Sequence, residues 1–290
     1  MIHLEGMGVL GSLTALRLHA AGVPFTWHDD QRRHVAWPAS TGLVYPAGDE
    51  WSQRNLDHWT RWADQDWLPA GVVERASYVY AHLNPPHHGD YKTSPVGRLT
   101  LADAPAFTVN APALVESTRA RFARQRLGSK VPGSRLIVAH GFARATSLMW
   151  GWSAKVQLRL SPALAALPKR PALYGRKVRQ LTYAYPVPGE PDVWWAGSSL
   201  VRQTTVRELD ADKHFRRWCG DVADVYRGEV ALLGQVGPVT QGWRPRPAKD
   251  VAAPLPDLLD SGTIVYPALW HSGIRWSPMV IERALSLITA

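Results

Sequence analysis

The first thirty residues constrain this chain more than any other stretch. Ile2-His3-Leu4 reads as a short buried strand, and Gly6-Met7-Gly8-Val9-Leu10-Gly11 follows at once. Leu10, Leu13, Leu16, Leu18 and Ala21 continue as a helix that stops at Gly22, and a second strand, Phe25-Thr26-Trp27-His28, runs into Asp29. Strand, G-x-G-x-x-G, helix, strand, acid is the order of a dinucleotide-binding unit. Gly6 permits the tight turn, Gly8 lets a pyrophosphate approach the backbone, and Gly11 lets the helix pack closely on the strand. The helix start adds free N–H groups and the positive end of a dipole. Gly6, Met7, Gly8, Leu10 and Gly11 are therefore candidate cofactor contacts, with Asp29 taking the ribose hydroxyls. The competing reading is a Gly-rich turn that binds nothing. Glu5 stands where such turns usually carry a small or apolar residue, so its charge needs a partner or water.

A chain of 290 residues is long enough for one large or two small domains. No run of about eighteen apolar residues is present, and the N-terminus enters the nucleotide-binding strand directly, so neither a membrane span nor a signal peptide is expected. The expected location is the cytoplasm. Cys219 is the single cysteine, which excludes an internal disulfide, and its helical surroundings make it a packing residue. Lys plus Arg outnumber Asp plus Glu by 33 to 24, a formal charge of +9 that favours polyanions or acidic substrates. The 14 tryptophans serve either as core and pocket lining or as stacking platforms for flat substrates such as bases.

Further along, Trp37-Pro38-Ala39-Ser40-Thr41-Gly42-Leu43-Val44-Tyr45-Pro46 is a Pro- and Gly-punctuated loop whose Ser40 and Thr41 hydroxyls and backbone donors can wrap phosphates. Trp51 to Ala63 has helical spacing, Val72 to Leu83 strand character, and His87-His88 stand in a loop without a ligand partner at metal spacing. Leu99 to Leu101 reads as a short strand, and Pro112 to Arg126 as a helix. Arg135 to Gly141, a short apolar run ending in Gly, reads as a buried parallel strand returning to the first sheet, with Gly141 letting the backbone pass close to a cofactor. Lys155 to Leu160, Lys177 to Tyr185 and Val193 to Ala196 read as antiparallel strands, and Ala211 to Leu233 as a helix. Gly242 to Pro247 is expected to be an irregular turn, Ile264 to Tyr266 a buried strand, Trp270 to Arg275 a loop, and Pro278 the opening of a closing helix.

Several of these pieces, in this order, resemble the FAD-dependent D-amino-acid oxidase and glycine oxidase superfamily. The opening fingerprint with Asp29 resembles its ADP-binding unit, and Ala39 to Leu43 its flavin-diphosphate loop. Ile137 to Gly141 resembles its strand ending in A-x-G, with His140 replacing the usual small residue. Trp243-Arg244-Pro245 and Trp270-His271-Ser272-Gly273-Ile274-Arg275-Trp276-Ser277-Pro278 resemble its two C-terminal signatures. The resemblance implies an α/β fold: an FAD-binding Rossmann-like domain (1–48, 110–150 and 236–290) with an inserted, mainly antiparallel substrate-binding domain (49–109 and 151–235).

The resemblance further implies FAD as cofactor and oxidation of a C–N bond beside a carboxylate, with no obligatory side-chain base. It makes Arg244 the carboxylate-binding fork, against a surface ion pair, and Tyr183 a second carboxylate contact, against a strand aromatic facing the core. His271 becomes a polar contact over the flavin without a role as base. Ser40, Thr41, Gly42, Leu43, Gly141, Ser272, Gly273 and Ile274 become flavin contacts. Arg275 either offsets negative charge on reduced flavin or points to solvent. The chain looks shortened relative to the family around 51–110 and after Lys155, which implies an open pocket. With the positive charge, this resembles flavin oxidases acting on glycine-like groups of nucleic acid: those of tRNA wobble-uridine modification and of bacteriophage thymidine hypermodification, the latter favoured by compactness. A phage-encoded protein would work in the host cytoplasm. The alternatives are an oxidase of free glycine, sarcosine or D-amino acids, and a flavin-bound protein that binds nucleic acid or a partner without turnover.

Overall fold

The structure, a computed structural model, describes residues 1–29, 36–40, 42–45, 50–80, 91–93, 100–139, 150–159, 171–177, 180–190, 193–197, 201–203, 234–235, 240–245, 255–269 and 273–289. Thr41, His87, His88, His140, Gly141, Cys219, Trp270, His271, Ser272 and the helix expected over Ala211 to Leu233 lie outside the described residues, as do the side chains of Tyr183 and Arg244.

Two sheets organise the chain. The smaller has the order β15 (Asp257–Leu258), β16 (Ile264–Val265), β7 (Arg135–Val138), β1 (Ile2–Glu5), β2 (Phe25–His28). β1 pairs in parallel with β2 and β7, and β16 in parallel with β7, so the strand at Arg135 does return to the first sheet. One face of the pleat carries Ile2, Leu4, Phe25, Trp27, Ile137 and Ile264, all buried against α1 (Val9–Ala20) and its neighbours. α1 ends as its sequence requires. Gly22 adopts φ +68 and Val23 N–H returns to Leu18 O at 2.9 Å, a left-handed glycine stop.

The larger sheet runs β12 (Val201–Gln203), β8 (Trp150–Arg159), β11 (Trp194–Gly197), β10 (Gln180–Pro186), β9 (Pro171–Lys177), β4 (Val73–Tyr80), β6 (Thr100–Val109), β3 (Leu43–Val44). β13 (Gly234–Gln235) and β14 (Thr240–Pro245) pair with β8, and β5 (Tyr91–Thr93) with β6. Among the described strands only β4 and β9 run parallel in it. Lys177 and Tyr185, expected on one strand, fall on the two arms of the β9–β10 hairpin. Residues Gly242 to Pro245, expected as a turn, instead pair residue by residue with β8, from Gly242 opposite Ser153 to Pro245 opposite Trp150. Composition alone suggested a break there; ladder pairing overrides it, and Pro245 stands at the strand's end, where a missing N–H costs least.

Among the described residues three helices besides α1 are formed: α2 (Glu50–Ala63), α3 (Ala111–Arg121) and α4 (Gly273–Thr289). Asn110 Oδ1 caps α3 by accepting from Ala113 N–H at 3.1 Å. α2, which the sequence assigns to the substrate part, buries Leu56, Trp59 and Trp62 in the same core as α1 and α4. Glu282 of α4 ties all three helices together. It accepts from Arg17 Nε at 2.9 Å and from Trp62 Nε1 at 3.2 Å. Among the described residues no helix is long and apolar enough to cross a membrane.

The closing helix differs from expectation. α4 begins at Gly273, so Gly273, Ile274 and Arg275 are helical and Pro278 lies inside the helix. Proline has no N–H to give the carbonyl four residues back, which is that of Ile274. Trp59 Nε1 supplies the missing donor, at 3.1 Å from Ile274 O in a buried setting. Trp59→Phe should therefore destabilise the protein by about 1–3 kcal/mol beyond the small volume change, because it strands a buried carbonyl. In a Pro278→Ala background the helix regains its own donor and that cost should shrink. Urea titration of the four proteins gives the cycle, and equal costs in both backgrounds would rule the compensation out.

Candidate nucleotide and flavin site

The glycine turn joins β1 to α1. Gly6 takes φ +97, a left-handed conformation open to glycine, and its N–H donates to His28 O at 2.9 Å. A Cβ on Gly11 would lie 2.0 Å from Gly6 O, so the helix cannot approach the strand with any larger residue there. Gly8 behaves differently. It is the N-cap of α1 in an extended conformation at φ −78, no side chain caps the helix, and a Cβ there would meet only Trp37 Cδ1, at 3.9 Å. The first N–H groups of α1, next to Gly8, thus lack intrahelical acceptors. Ser12 Oγ, fully buried in this first turn, also has no partner among the described residues. Uncapped donors, an open glycine face and an orphaned hydroxyl fit a bound dinucleotide phosphate.

Met7 is buried in the core and presents its carbonyl to Arg119 Nε at 3.1 Å. Leu10 is half-buried; its carbonyl accepts from Thr14 Oγ1 at 2.8 Å. Because Thr14 spends its proton there, the Tyr266 hydroxyl donates to Thr14 Oγ1, at 2.9 Å. Asp29, at the end of β2, is paired with Arg119 of α3. Together with Trp27, Ala120, Ala123 and Arg126 they line a cavity of about 260 Å³. Beneath the turn, Glu5 lies opposite His28 in the β1–β2 register, and the ring of His28 stacks 6.2 Å from that of His3. Burial first, and His28 next, hold the His3 imidazole below its ordinary value, so it is neutral at pH 7.

The loop after β2 is fixed from the larger sheet. Tyr185 of β10 is fully buried; its hydroxyl accepts from Gly42 N–H at 2.9 Å and donates to Ser40 O at 3.3 Å. Gly42 is held against β6, where a Cβ would stand 1.8 Å from Val109 O. Leu43 is buried and pairs with Thr108. The preceding turn, Trp37–Ala39, contacts α3, β8 and β14, so the strand that carries Arg244 lies against this loop. On the far side α4 contacts β3. Ile274 is buried there, and the Arg275 guanidinium sits 5.4 Å from the Tyr45 ring centroid and 5.6 Å from that of Trp276. Of the two sequence alternatives for Arg275, an offset of charge on reduced flavin or a side chain pointing to solvent, this half-buried aromatic seat does not match the second.

The described residues place Gly6, Gly8 and Gly11 in the turn between β1 and α1, Asp29 at the end of β2, Ser40, Gly42 and Leu43 in the loop held by Tyr185, and Gly273, Ile274 and Arg275 in the first turn of α4, while the backbones of Tyr183 and Arg244 lie on β10 and β14 of the larger sheet. Sequence reasoning missed Tyr185 and Arg119 as parts of this arrangement, whereas Trp37 opens the loop it assigned to the phosphates. Tyr185 had a signal in its position two residues after Tyr183, whereas Arg119 had none. Among the described residues the tryptophans at 27, 59, 62, 194, 195 and 243 are buried, which assigns them to packing rather than to exposed stacking platforms.

The chain matches no protein-family model and no curated protein sequence. Its fold is shared by solved structures. Iminodiacetate oxidase from Chelativorans sp. BNC1 superposes with a TM-score of 0.71 at 14% identity, covering 100% of this chain and 95% of that one. Glycine oxidase from Bacillus cereus gives 0.72 at 14% identity, with 99% and 94% covered. L-α-glycerophosphate oxidase from Mycoplasma pneumoniae, solved with FAD bound, gives 0.67 at 10% identity, with 100% and 94% covered. The α/β architecture implied by the resemblance, a dinucleotide-type parallel sheet joined to a mainly antiparallel one, is the fold this chain has.

Proposed function

We propose that this chain binds FAD and oxidises a glycine-like amine, and that the amine is carried on nucleic acid. The observation that carries the cofactor reading is the uncapped start of α1 over the open face of Gly8, with Ser12 Oγ orphaned beside it. Bound FAD would supply a two-electron acceptor for the hydride on the carbon beside the amine nitrogen, leaving an imine for water to hydrolyse. The chain's own residues bind and orient. Gly8 and the α1 N–H groups take the pyrophosphate, Asp29 the ribose, and the loop from Ser40 to Leu43 with Thr41 the rest of the diphosphate. Gly141, Ser272, Gly273 and Ile274 border the flavin ring. Arg244 binds the substrate carboxylate through its guanidinium fork, with Tyr183 beside it and His271 as a further polar contact.

The amine half of this reading draws on the motif around Arg244 and on the printed activities of two neighbours, which act on iminodiacetate and glycine. The nucleic-acid half draws on the formal charge of +9 and on the compact chain of 290 residues. Glycine joined to the thymine methyl group, as in phage DNA hypermodification, is the substrate this combination favours. Free glycine, sarcosine or a D-amino acid is the competing substrate.

The test follows flavin absorbance in anaerobic mixtures of the purified holoprotein with free glycine or sarcosine and, separately, with DNA bearing glycine on thymine methyl groups. The expected result is bleaching by the modified DNA alone, at a rate that falls steeply with salt as counterion release predicts. Bleaching by the free amino acids alone, indifferent to salt, would replace the polymer substrate with a small one. A bound flavin that no amine bleaches would leave a binding protein without turnover.

A further inference from the structure

We infer that Arg119 is a positioning residue for the adenosine end of the dinucleotide, an inference that rests on the cofactor reading above. α3 is no part of the fingerprint, yet the guanidinium from its last turn joins three separate segments of the site. Nε donates to Met7 O, inside the glycine turn, at 3.1 Å. Nη2 donates to Asp29 Oδ2, at the end of β2. The guanidinium carbon stands 5.7 Å from the ring centroid of Trp37, the residue above the open face of Gly8.

This arrangement does more than pair charges. The Asp29 side chain is 13% exposed and that of Arg119 31%, so the pair is largely withdrawn from solvent. Arg119 occupies Oδ2 and fixes the carboxylate plane, while Oδ1 accepts nothing among the described residues and remains for a ligand hydroxyl. The cavity these two residues line, at about 260 Å³, is smaller than a whole cofactor pocket and suits one end of a ligand. Arg126, on the same cavity, places its guanidinium 5.4 Å from the centroid of Trp27. A lysine could supply the charge but could not bond Met7 O and Asp29 at once in a planar fork.

Affinities for FAD and for FMN, which lacks the adenosine end, are measured by flavin fluorescence for wild type, Arg119→Ala, Arg119→Lys, Asp29→Asn and the double variant, alongside apoprotein Tm. Arg119→Ala is expected to weaken FAD at least tenfold while FMN changes less than twofold, and Arg119→Lys to recover only part of the loss. In the Asp29→Asn background the Arg119→Ala factor should fall severalfold, because the two act through one carboxylate. Equal losses for FAD and FMN, tracking Tm, would overturn the inference in favour of a brace for the fold. Unchanged FAD affinity in both Arg119 variants would overturn it alone, leaving the cofactor reading intact. A wild type that binds neither flavin would overturn both.

Discussion

Gly8→Val is expected to give a folded protein that purifies without flavin. The backbone at Gly8 is extended at φ −78, a conformation valine adopts freely, and a Cβ there meets only Trp37 Cδ1 at 3.9 Å, ordinary van der Waals contact. The fold therefore has room for the substitution. What the isopropyl group fills is the approach to the uncapped N–H groups of α1, where a pyrophosphate must come within hydrogen-bond distance of the backbone. Loss of that approach should cost at least a hundredfold in FAD affinity, about 2.7 kcal/mol.

Gly11→Val separates the two roles of glycine in the same turn. Its Cβ would lie 2.0 Å from Gly6 O, a backbone atom that cannot swing aside, so the expected result is a protein that fails to fold or melts far below wild type. Flavin-to-protein absorbance ratios and thermal midpoints of the two variants read these outcomes apart. Gly8→Val purifying with a full complement of flavin would remove the phosphate assignment.

This contrast also indicates which parts of the molecule were legible beforehand. The fingerprint was readable because each of its glycines answers a steric demand set within a few residues, and local spacing carries such demands. The returning strand β7 was readable because a parallel buried strand is apolar throughout. What escaped the sequence was settled by partners far along the chain. Pro278 reads locally as a helix opener, and the donor that lets it sit inside α4 belongs to Trp59, 215 residues away. The Arg119 contact with Asp29 spans 90 residues, and that of Tyr185 with Gly42 spans 143. No period or motif encodes such pairings. β14 shows the same limit in strand form, since Gly242, Pro245 and the residues between them look like a turn until β8 supplies a ladder.

Arg244→Ala tests the substrate half of the proposal, and its effect should be nearly as large. Arg244 is placed on β14 opposite Gly151 of β8, one residue before the proline that ends the strand. β14 in turn contacts the turn Trp37–Ala39, which leads into the loop held by Tyr185. A guanidinium presented from a paired strand is a rigid fork, and each charge-assisted bond it makes to a carboxylate contributes about 1.5–3 kcal/mol. Removing both should raise KM for a glycine-like substrate about 100- to 10,000-fold. Because the carboxylate is held alike before and during hydride transfer, kcat should change much less. FAD affinity should stay near wild type, since no phosphate contact is assigned to Arg244. An amide analogue of the substrate, lacking the carboxylate charge, should be turned over poorly by wild type and lose little further in the variant. Wild-type kinetics in Arg244→Ala, or a loss as large for the amide as for the acid, would move carboxylate binding to another residue and leave the cofactor site standing without it.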